Sequence, residues 1–446
     1  MKSVTAAVAD LVVNTSLSDS AHLLCDPVAR YIADTLGVTI AGHDTGVVRT
    51  LRSVHSPLPV GPCRIPGTNR KTDMITAALI NGTAAHALDY DDVPEVAYTH
   101  FSATVVPVIL AVADQICVKV SDVVEAYVYA FQVENALAQA LPIREAYELG
   151  WQSSGVLGPI SAAVAAARIM QLNPSQVEHA VSLAAASMCG TTANFGSMAK
   201  PLTIGRAASE GLWCAQLAGA GMTAGTDVLG ARGGLLDMFG ARDKSPRLLE
   251  CLEDHSWSIL SSGPVTKPYP ACSAARCSID AVRALGIRHE QIKSLEVVVE
   301  PRGLDALNRV EVNASEDAKF NIHILVALAA IDGNVTVKSF EPASLNRESL
   351  RKLAGTVTAV TSEIPPYGKG NWKHAYSVVK ATLHDGSVVQ SRIDMPVGAL
   401  WDWAEIQKKF ESCTGGIPAW KNQYWKAARI ITPDNWGAVF SLISPD

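Results

Sequence analysis

The chain has 446 residues, of which 48% are hydrophobic and 18% charged, and its formal net charge at pH 7 is -6. This length exceeds what one hydrophobic core usually supports, so we expect two domains, and the apolar composition excludes a disordered chain. The negative charge and the lack of any Lys/Arg block argue against nucleic acid as a partner.

Cysteine spacing and the length of the apolar runs indicate the cellular compartment of the protein. The nine cysteines form no C-x-x-C pair, which predicts neither a zinc site nor a disulfide framework and fits a reducing cytoplasm. The first 16 residues are too polar for a signal peptide, and the longest apolar run, residues 155–167, is too short to span a membrane. We therefore expect a cytoplasmic protein with no membrane partner.

From about residue 26 to residue 222 the pattern predicts one helix after another. The predicted helices cover residues 26–42, 72–92, 102–116, 121–141, 158–172, 175–187 and 204–221. Small residues dominate their faces, so the helices can approach one another closely. Start signals include Ser121 or Asp122 before Glu125, Pro174 in a first turn, and Gly158 and Gly205 near helix beginnings.

After residue 262 the pattern changes to that of an α+β domain. Residues 294–303, 356–364 and 376–396 are rich in β-branched residues, and "HDGS" within the last segment signals a hairpin. Residues 271–286 and 321–333 are helical in pattern, as are residues 401–413 and 420–431 in the tail. We predict a two-domain fold, with a large all-α domain at residues 1–262 completed by 399–446, and a smaller α+β domain at 263–398.

The stretch "HALDYDDVPEVAYTH", residues 86–100, is unusually rich in ionisable groups. Helical spacing places His86, Asp89 and Tyr90 on one face of a helix. Because Pro94 disfavours helix just before it, we expect three of the four acids of this stretch, Asp89, Asp91 and Asp92, in the last helical turn.

Carboxylates at the end of a helix oppose its dipole. A local rule broken in this way is often a functional site, although the three acids could equally be solvated or cap a neighbouring helix.

Basic groups accompany three predicted helix starts. His100 precedes one helix, Lys200 precedes another that carries Arg206 in its first turn, and Lys267 precedes a third that begins near Arg276. A cation beside the free N–H groups of a helix start forms a local anion site. Three such sites suit a polycarboxylate, while each alone is equally compatible with a solvated side chain.

Two further polar residues, Tyr147 and Gln152, come just before a glycine-led helix. Tyr147 can act as an acid or base only if a nearby cation lowers its pKa from about 10. The alternative is a tyrosine at the boundary of an amphipathic segment, which the spacing alone favours.

The sequence predicts no cofactor. "DYDD" with its flanking histidines offers oxygen and nitrogen ligands, but no H-x-x-x-H or calcium-loop pattern supports a metal site. Neither G-x-G-x-x-G after a strand nor a phosphate-binding loop is present, and the G-x-S-x-G motif of serine hydrolases is absent.

Three segments, "NGTAAHALDYDD", "KPLTIGRAA" and "KPYPACSAARCSIDAV", resemble signature segments of the MmgE/PrpD family, in the same order. That family includes 2-methylcitrate dehydratases, cis-aconitate decarboxylases and iminodisuccinate epimerase. The resemblance implies a large helical domain built from two chain segments, a smaller α+β domain, a homodimer and a cofactor-independent site. It also implies proton removal next to a carboxylate, with Asp89, His100, Lys200 and Lys267 at the site.

Several positions depart from decarboxylase-like members of the family. Gln152 stands where those members carry a histidine. Cys272 stands where they carry either a histidine or a cysteine. Ile324, beside His323, falls where they supply a tyrosine, and Arg276 replaces a later histidine. Cys272 is equally compatible with a role in packing.

Because an imidazole and a phenol are lost at these positions, we expect an epimerase acting on iminodisuccinate rather than a dehydratase or decarboxylase. A lyase of the same family remains the alternative, and a non-catalytic helical dimer that senses a polycarboxylate is the second. The predicted catalytic residues are Lys200, Tyr147, His100 and Asp89. The predicted substrate-binding residues are Lys267, Arg206, Arg276, Gln152, Cys272 and His86.

Overall fold

A computed structural model describes residues 3–301, 303–307, 312, 314–364, 375–394 and 401–415. The chain divides into two compact units, with the changes between them at residues 266/267 and 399/400. Residues 263–266 therefore belong to the first unit, and the short segment 194–197, which the sequence placed in the first domain, belongs to the second.

The first unit is helical, in agreement with the predicted all-α domain. Its helices are α1 (Val4–Asn14), α2 (Ala21–Gly42), α3 (Gly46–Val54), α4 (Met74–His86), α5 (Phe101–Gln115), α6 (Val120–Ala140), α7 (Ile143–Glu148), α8 (Ser153–Ile169), α9 (Pro174–Ala185), α10 (Ala199–Gly219), α11 (Leu235–Met238), α12 (Ser245–Glu253) and α13 (Ser258–Ser262). A short antiparallel hairpin, β1 (Cys63–Arg64) with β2 (Lys71–Thr72), lies between α3 and α4.

Several helices begin earlier than predicted. Gly158 and Gly205 lie inside α8 and α10 rather than near their beginnings, because both helices start five or six residues upstream. Helix α6 begins at Val120, and the carboxylate of Asp122 accepts from the backbone N–H of Lys119, so the predicted start at Ser121 or Asp122 is late. Pro174 does occupy the first position of α9.

Helix α10 lies in backbone contact with α4 and α8. A Cβ atom at Gly205 of α10 would lie 2.1 Å from Thr83 Oγ1 and 2.3 Å from the carbonyl oxygen of Leu79 in α4. On the same helix, a Cβ at Gly211 would lie 2.3 Å from the carbonyl oxygen of Pro159 in α8. Only glycine permits this approach, and it brings the first turn of α10 close to the end of α4.

The second unit combines helices with a mixed sheet, in agreement with the predicted α+β domain. Its elements are α14 (Arg276–Ala284), β3 (Ile292–Val299), α15 (Ser315–Ala318), α16 (Ile322–Asp332), α17 (Pro342–Leu345), α18 (Glu348–Ala354), β4 (Val357–Thr361), β5 (Tyr376–Leu383) and β6 (Val388–Asp394). The strand order is β4-β3-β5-β6, with β3 and β4 parallel and the other pairs antiparallel.

The predicted hairpin at "HDGS" is confirmed, because β5 and β6 flank it as antiparallel neighbours. The backbone N–H of Ser387 donates to Asp385 Oδ1 at 2.9 Å inside the turn, and Gly386 has a φ of +87°. The alternating apolar side of the sheet is covered by α14 and α16, whose buried residues include Ile279 and Leu325.

A last helix, α19 (Trp403–Thr414), returns to the first unit and packs on α2. Asp402 caps it by accepting from the backbone N–H of Glu405, and Ile406 and Phe410 are buried. This confirms the helix predicted at 401–413, whereas the one predicted at 420–431 lies outside the described residues. Among the helices described, none combines the length and the apolar character needed to cross a membrane.

We predict that Gly205→Ala destabilises the first unit, because the added methyl group has no room between α4 and α10. Overpacking of this kind typically lowers the free energy of unfolding by about 1–3 kcal/mol. Urea unfolding followed by circular dichroism measures it. Gly219→Ala is the control, since a Cβ there meets only the flexible side-chain ends of Leu172 at 3.2 Å and Met170 at 3.9 Å. Equal stability of the two variants would contradict the tight crossing.

Candidate active site

The cluster of ionisable groups forms where α4 ends. Helix α4 starts at the cap Asp73, whose carboxylate accepts from the N–H groups of Ile75 and Thr76, and it ends at His86. The acids that follow are therefore in an irregular loop rather than in a last helical turn, and that prediction is wrong. Asp89 adopts a φ of +52°, a left-handed backbone conformation that is uncommon outside glycine.

Asp91 lies between the two histidines of the stretch. One oxygen of its carboxylate is 2.8 Å from His86 Nδ1 and the other is 2.9 Å from His100 Nδ1. The two imidazole rings are 3.8 Å apart between centroids, and all three side chains are buried. A single carboxylate thus holds both rings in place.

Burial and charge set the protonation states of this trio. Burial opposes ionisation of Asp91, but the neighbouring imidazoles of His86 and His100 hold its pKa well below the usual value. Burial also lowers the pKa of His86, and burial together with His86 lowers the pKa of His100 to about 3. At neutral pH the carboxylate is therefore charged and both imidazoles are neutral.

These states fix the positions of the imidazole protons. Because the carboxylate of Asp91 only accepts, we infer that Nδ1 of each ring carries the proton and that each Nε2 offers a lone pair. Lys200 Nζ lies 2.7 Å from His86 Nε2, 3.4 Å from His100 Nε2 and 3.2 Å from Asp89 Oδ1. A buried ammonium is thereby held by three acceptors.

Lys200 reaches the cluster from the first turn of α10. The sequence placed Lys200 before this helix, but the helix starts at Ala199, and the residue is only 4% exposed. Arg206, predicted in the first turn, lies on the next turn and is exposed to solvent. The structure therefore brings Lys200 to the cluster and does not bring Arg206 there.

Further buried hydrogen bonds tie down the chain on both sides of the cluster. Asp92 accepts from the backbone N–H and the hydroxyl of Ser102, which also contacts the Tyr127 hydroxyl at 2.6 Å. Burial, aided by nearby carboxylates, raises the pKa of Asp92 to about 8. Glu134 accepts from the hydroxyls of Thr99 and Ser161, and burial raises its pKa to about 7.

His100 immediately precedes α5, as predicted. Its backbone N–H donates to Ser154 Oγ at 3.0 Å, in the first turn of α8. Two residues earlier, Gln152 is the cap residue of α8 and is 2% exposed. Both polar atoms of the Gln152 amide have no hydrogen-bond partner among the described residues. Such a group is costly to bury unless a ligand or water contacts it.

Tyr147 lies on α7, a different helix from those that carry the residues of the Lys200 cluster. It lies near the end of α7, is partly exposed, and its ring packs on that of Tyr98 with centroids 6.5 Å apart. Its predicted role as a catalytic acid or base stays a prediction.

Four ligand atoms of the cluster meet the spacing of a metal site. One atom each from His86, Asp89, Asp91 and His100 lies within 4.8 Å of the others. The Lys200 ammonium already contacts three of these four side chains, so a metal ion would have to displace it. The ammonium of Lys200 thus lies at the position where a metal ion would bind.

The remaining predicted residues lie in the second unit. Lys267 is buried, and it lines one small pocket together with the half-buried Cys272 and Arg276. Ile324 packs against the core of this unit, and burial lowers the pKa of its neighbour His323.

Two important residues are absent from the predicted set. Asp91 was expected in the last turn of the helix but was not predicted as a site residue. Because α4 ends at His86, Asp91 lies in the loop and contacts both imidazoles. Lys409 of α19 is 3% exposed and contacts Asp34. Its signal in the sequence is its position on the apolar stripe that includes Ile406 and Phe410, where a lysine is unexpected.

Comparison with known proteins covers nearly the whole chain. Residues 6–247 match the MmgE/PrpD N-terminal domain, and residues 269–428 match the MmgE/PrpD C-terminal domain. Similar proteins include the cis-aconitate decarboxylase of Homo sapiens, 26% identical over 94% of this chain and 89% of that protein.

The cis-aconitate decarboxylase of Mus musculus is 26% identical over 88% of this chain and 82% of its own length. The cis-aconitate decarboxylase of Aspergillus terreus is 24% identical over 76% of this chain and 74% of its own length.

We predict that His100 makes stability depend on pH in the acidic range. Its pKa is about 3 when folded and about 6.5 when unfolded, so the unfolded chain binds the proton first as the pH falls. Stability should then fall by up to about 1.4 kcal/mol per pH unit below about 6.5, and His100→Gln should remove this contribution.

Urea unfolding of the wild type and His100→Gln between pH 4.5 and 7 measures the difference. The raised pKa values of Asp92 and Glu134 act in the opposite direction, but both groups are present in both proteins. His384→Gln, an exposed histidine of the second unit, is the control. A stability difference that stays constant across this range would contradict the prediction.

Proposed function

Because the chain belongs to the MmgE/PrpD family, we propose that it is a lyase of the cis-aconitate decarboxylase type, acting on an unsaturated polycarboxylate. The named relatives support the reaction class, since all three are cis-aconitate decarboxylases. The observation that carries the proposal is the buried Lys200 ammonium, held between two neutral imidazoles and a carboxylate. In our proposal this ammonium supplies both the positive charge that binds an anionic substrate and the proton that the reaction requires.

The difficult species in such a reaction is a carbanion. Loss of carbon dioxide from a carboxylate one carbon away from a double bond leaves an electron pair that spreads across the double bond. When the far carbon carries another carboxylate, the charge is shared as an enediolate. A positive charge fixed in a buried site stabilises this species, because the charged group is already in position and does not have to reorient during the reaction.

The proton that completes the reaction comes from Lys200 in our proposal. His86 and His100 have lowered pKa values, so neither is an imidazolium at neutral pH. The ammonium of Lys200 is the acid among these groups: it gives one proton to the carbanion carbon, and the resulting amine regains a proton from solvent. His100, which is 9% exposed, is the more accessible imidazole for that return.

Epimerisation of iminodisuccinate is the second candidate, and Gln152 favours it. A glutamine amide neither gives nor takes a proton at neutral pH, so in this proposal Gln152 contributes its unpartnered amide to substrate binding and supplies no acid. The two reactions share the enediolate and the lysine, and they differ in whether a C–C bond breaks.

Product analysis separates the candidates. We expect proton NMR of the protein with cis-aconitate to show loss of carbon dioxide and a new unsaturated dicarboxylate, whereas iminodisuccinate and hydroxy tricarboxylates remain unchanged. Interconversion of iminodisuccinate diastereomers would instead establish the epimerase, and water loss from a hydroxy acid a dehydratase. Binding of the panel without any turnover would contradict an enzymatic role.

We predict that Lys200→Met lowers kcat/KM by about 100- to 1000-fold, because it removes both the fixed charge and the proton donor. Steady-state kinetics on the substrate identified above measure the loss. Lys244→Met is the control, since Lys244 is an exposed lysine of the same unit. Near wild-type turnover by a folded Lys200→Met protein would contradict the assignment.

A further inference from the structure

We propose that Lys409 is a positioning residue that holds the loop carrying Asp89 and Asp91. Its ammonium lies 2.8 Å from Asp34 Oδ1 and donates to the carbonyl oxygen of Tyr90 at 2.7 Å. Tyr90 lies directly between the two acids of the cluster, so a residue more than 300 positions away fixes the backbone between them.

The loop after α4 is held one residue at a time. Lys409 holds the carbonyl of Tyr90, the imidazoles hold the carboxylate of Asp91, and Ser102 holds that of Asp92. Val93 then pairs with Val265 through two backbone hydrogen bonds. The backbone N–H of Asp89 donates to the carbonyl oxygen of His86 at 2.9 Å, and Lys409 adds a restraint from a distant part of the chain at the next carbonyl, that of Tyr90.

Asp89 is the position where such a restraint matters. Its φ of +52° is a conformation that a residue with a side chain persists in only when its surroundings impose it. If the Tyr90 carbonyl were released, rotation there would move the carboxylates on both sides. Those carboxylates set the Asp89 contact to Lys200 and the orientation of both imidazoles.

The environment of Lys409 suits a fixed anchor. Its side chain and that of Asp34 are 1% and 2% exposed, and the ammonium lies 4.1 Å from the centroid of the Tyr90 ring. A buried charge of this kind is retained only with a full set of partners, here a carboxylate, a carbonyl and an aromatic face. The arrangement assigns α19 a role in the site of the first unit.

The test removes the anchor without leaving a buried charge behind. The double variant Lys409→Met/Asp34→Asn replaces the ion pair by neutral groups of similar size. We expect kcat to fall about 10- to 100-fold with KM changed less than about threefold, because misplaced groups impair the chemical step more than binding. Arg64→Met/Asp114→Asn removes another ion pair of the same unit, away from the loop, and is the matched control.

A second measurement is independent of the substrate, since the kinetic comparison rests on the proposed function. Hydrogen exchange of the peptide covering residues 87–93 should be about tenfold faster in the Lys409 double variant and unchanged in the control. Faster exchange there would support the proposal even if the assigned reaction were wrong. If the double variant does not fold, Lys409→Arg, which keeps the charge, is compared in the same two ways.

Unchanged exchange at 87–93 would overturn the proposal, as would a fall in kcat equal to that of the control pair. A rise in KM with kcat preserved would also overturn it, because Lys409 would then act on substrate binding rather than on the geometry of the catalytic groups.

Discussion

The Asp91 carboxylate, shared between two imidazoles, is the interaction on which the candidate site depends. Each of its oxygens faces one Nδ1 atom, which turns both Nε2 lone pairs toward Lys200. Without this carboxylate the two rings would be free to reverse their tautomers, and the ammonium would face N–H groups instead of acceptors. One buried negative charge thereby makes a buried positive charge possible nearby.

Helix packing supplies the second constraint. The glycines of α10 let its backbone contact α4 and α8, so Lys200 in its first turn lies next to His86 at the end of α4. The cluster is thus built on rigid helix ends, and only the loop around Asp89 is irregular. A site arranged in this way stabilises developing negative charge by preorganised groups, which suits carbanion chemistry in general and does not by itself select the reaction. The named relatives favour decarboxylation, whereas Gln152 favours a step without an additional acid.

Much of this could be predicted from the sequence, and the failures have physical reasons. The period of the hydrophobic residues and the local composition were sufficient to predict the two fold classes, the "HDGS" hairpin and helix α19, because these depend on local patterns. His86, Asp89, His100 and Lys200 were found from their clustering and from helix starts. Asp91 was missed because the end of α4 depends on tertiary contacts rather than on Pro94, eight residues beyond His86.

The central claim is that burial keeps both imidazoles neutral and that the Asp91 carboxylate holds the proton of each ring on Nδ1. Nitrogen NMR of the protein labelled with 15N-histidine tests this most directly, with the two signals assigned by their loss in His86→Gln and His100→Gln. Our account predicts a protonated Nδ1 and an unprotonated Nε2 in both rings from about pH 5 to 8. Protonation of either ring at Nε2, or its titration near the ordinary pKa of about 6.5, would contradict it.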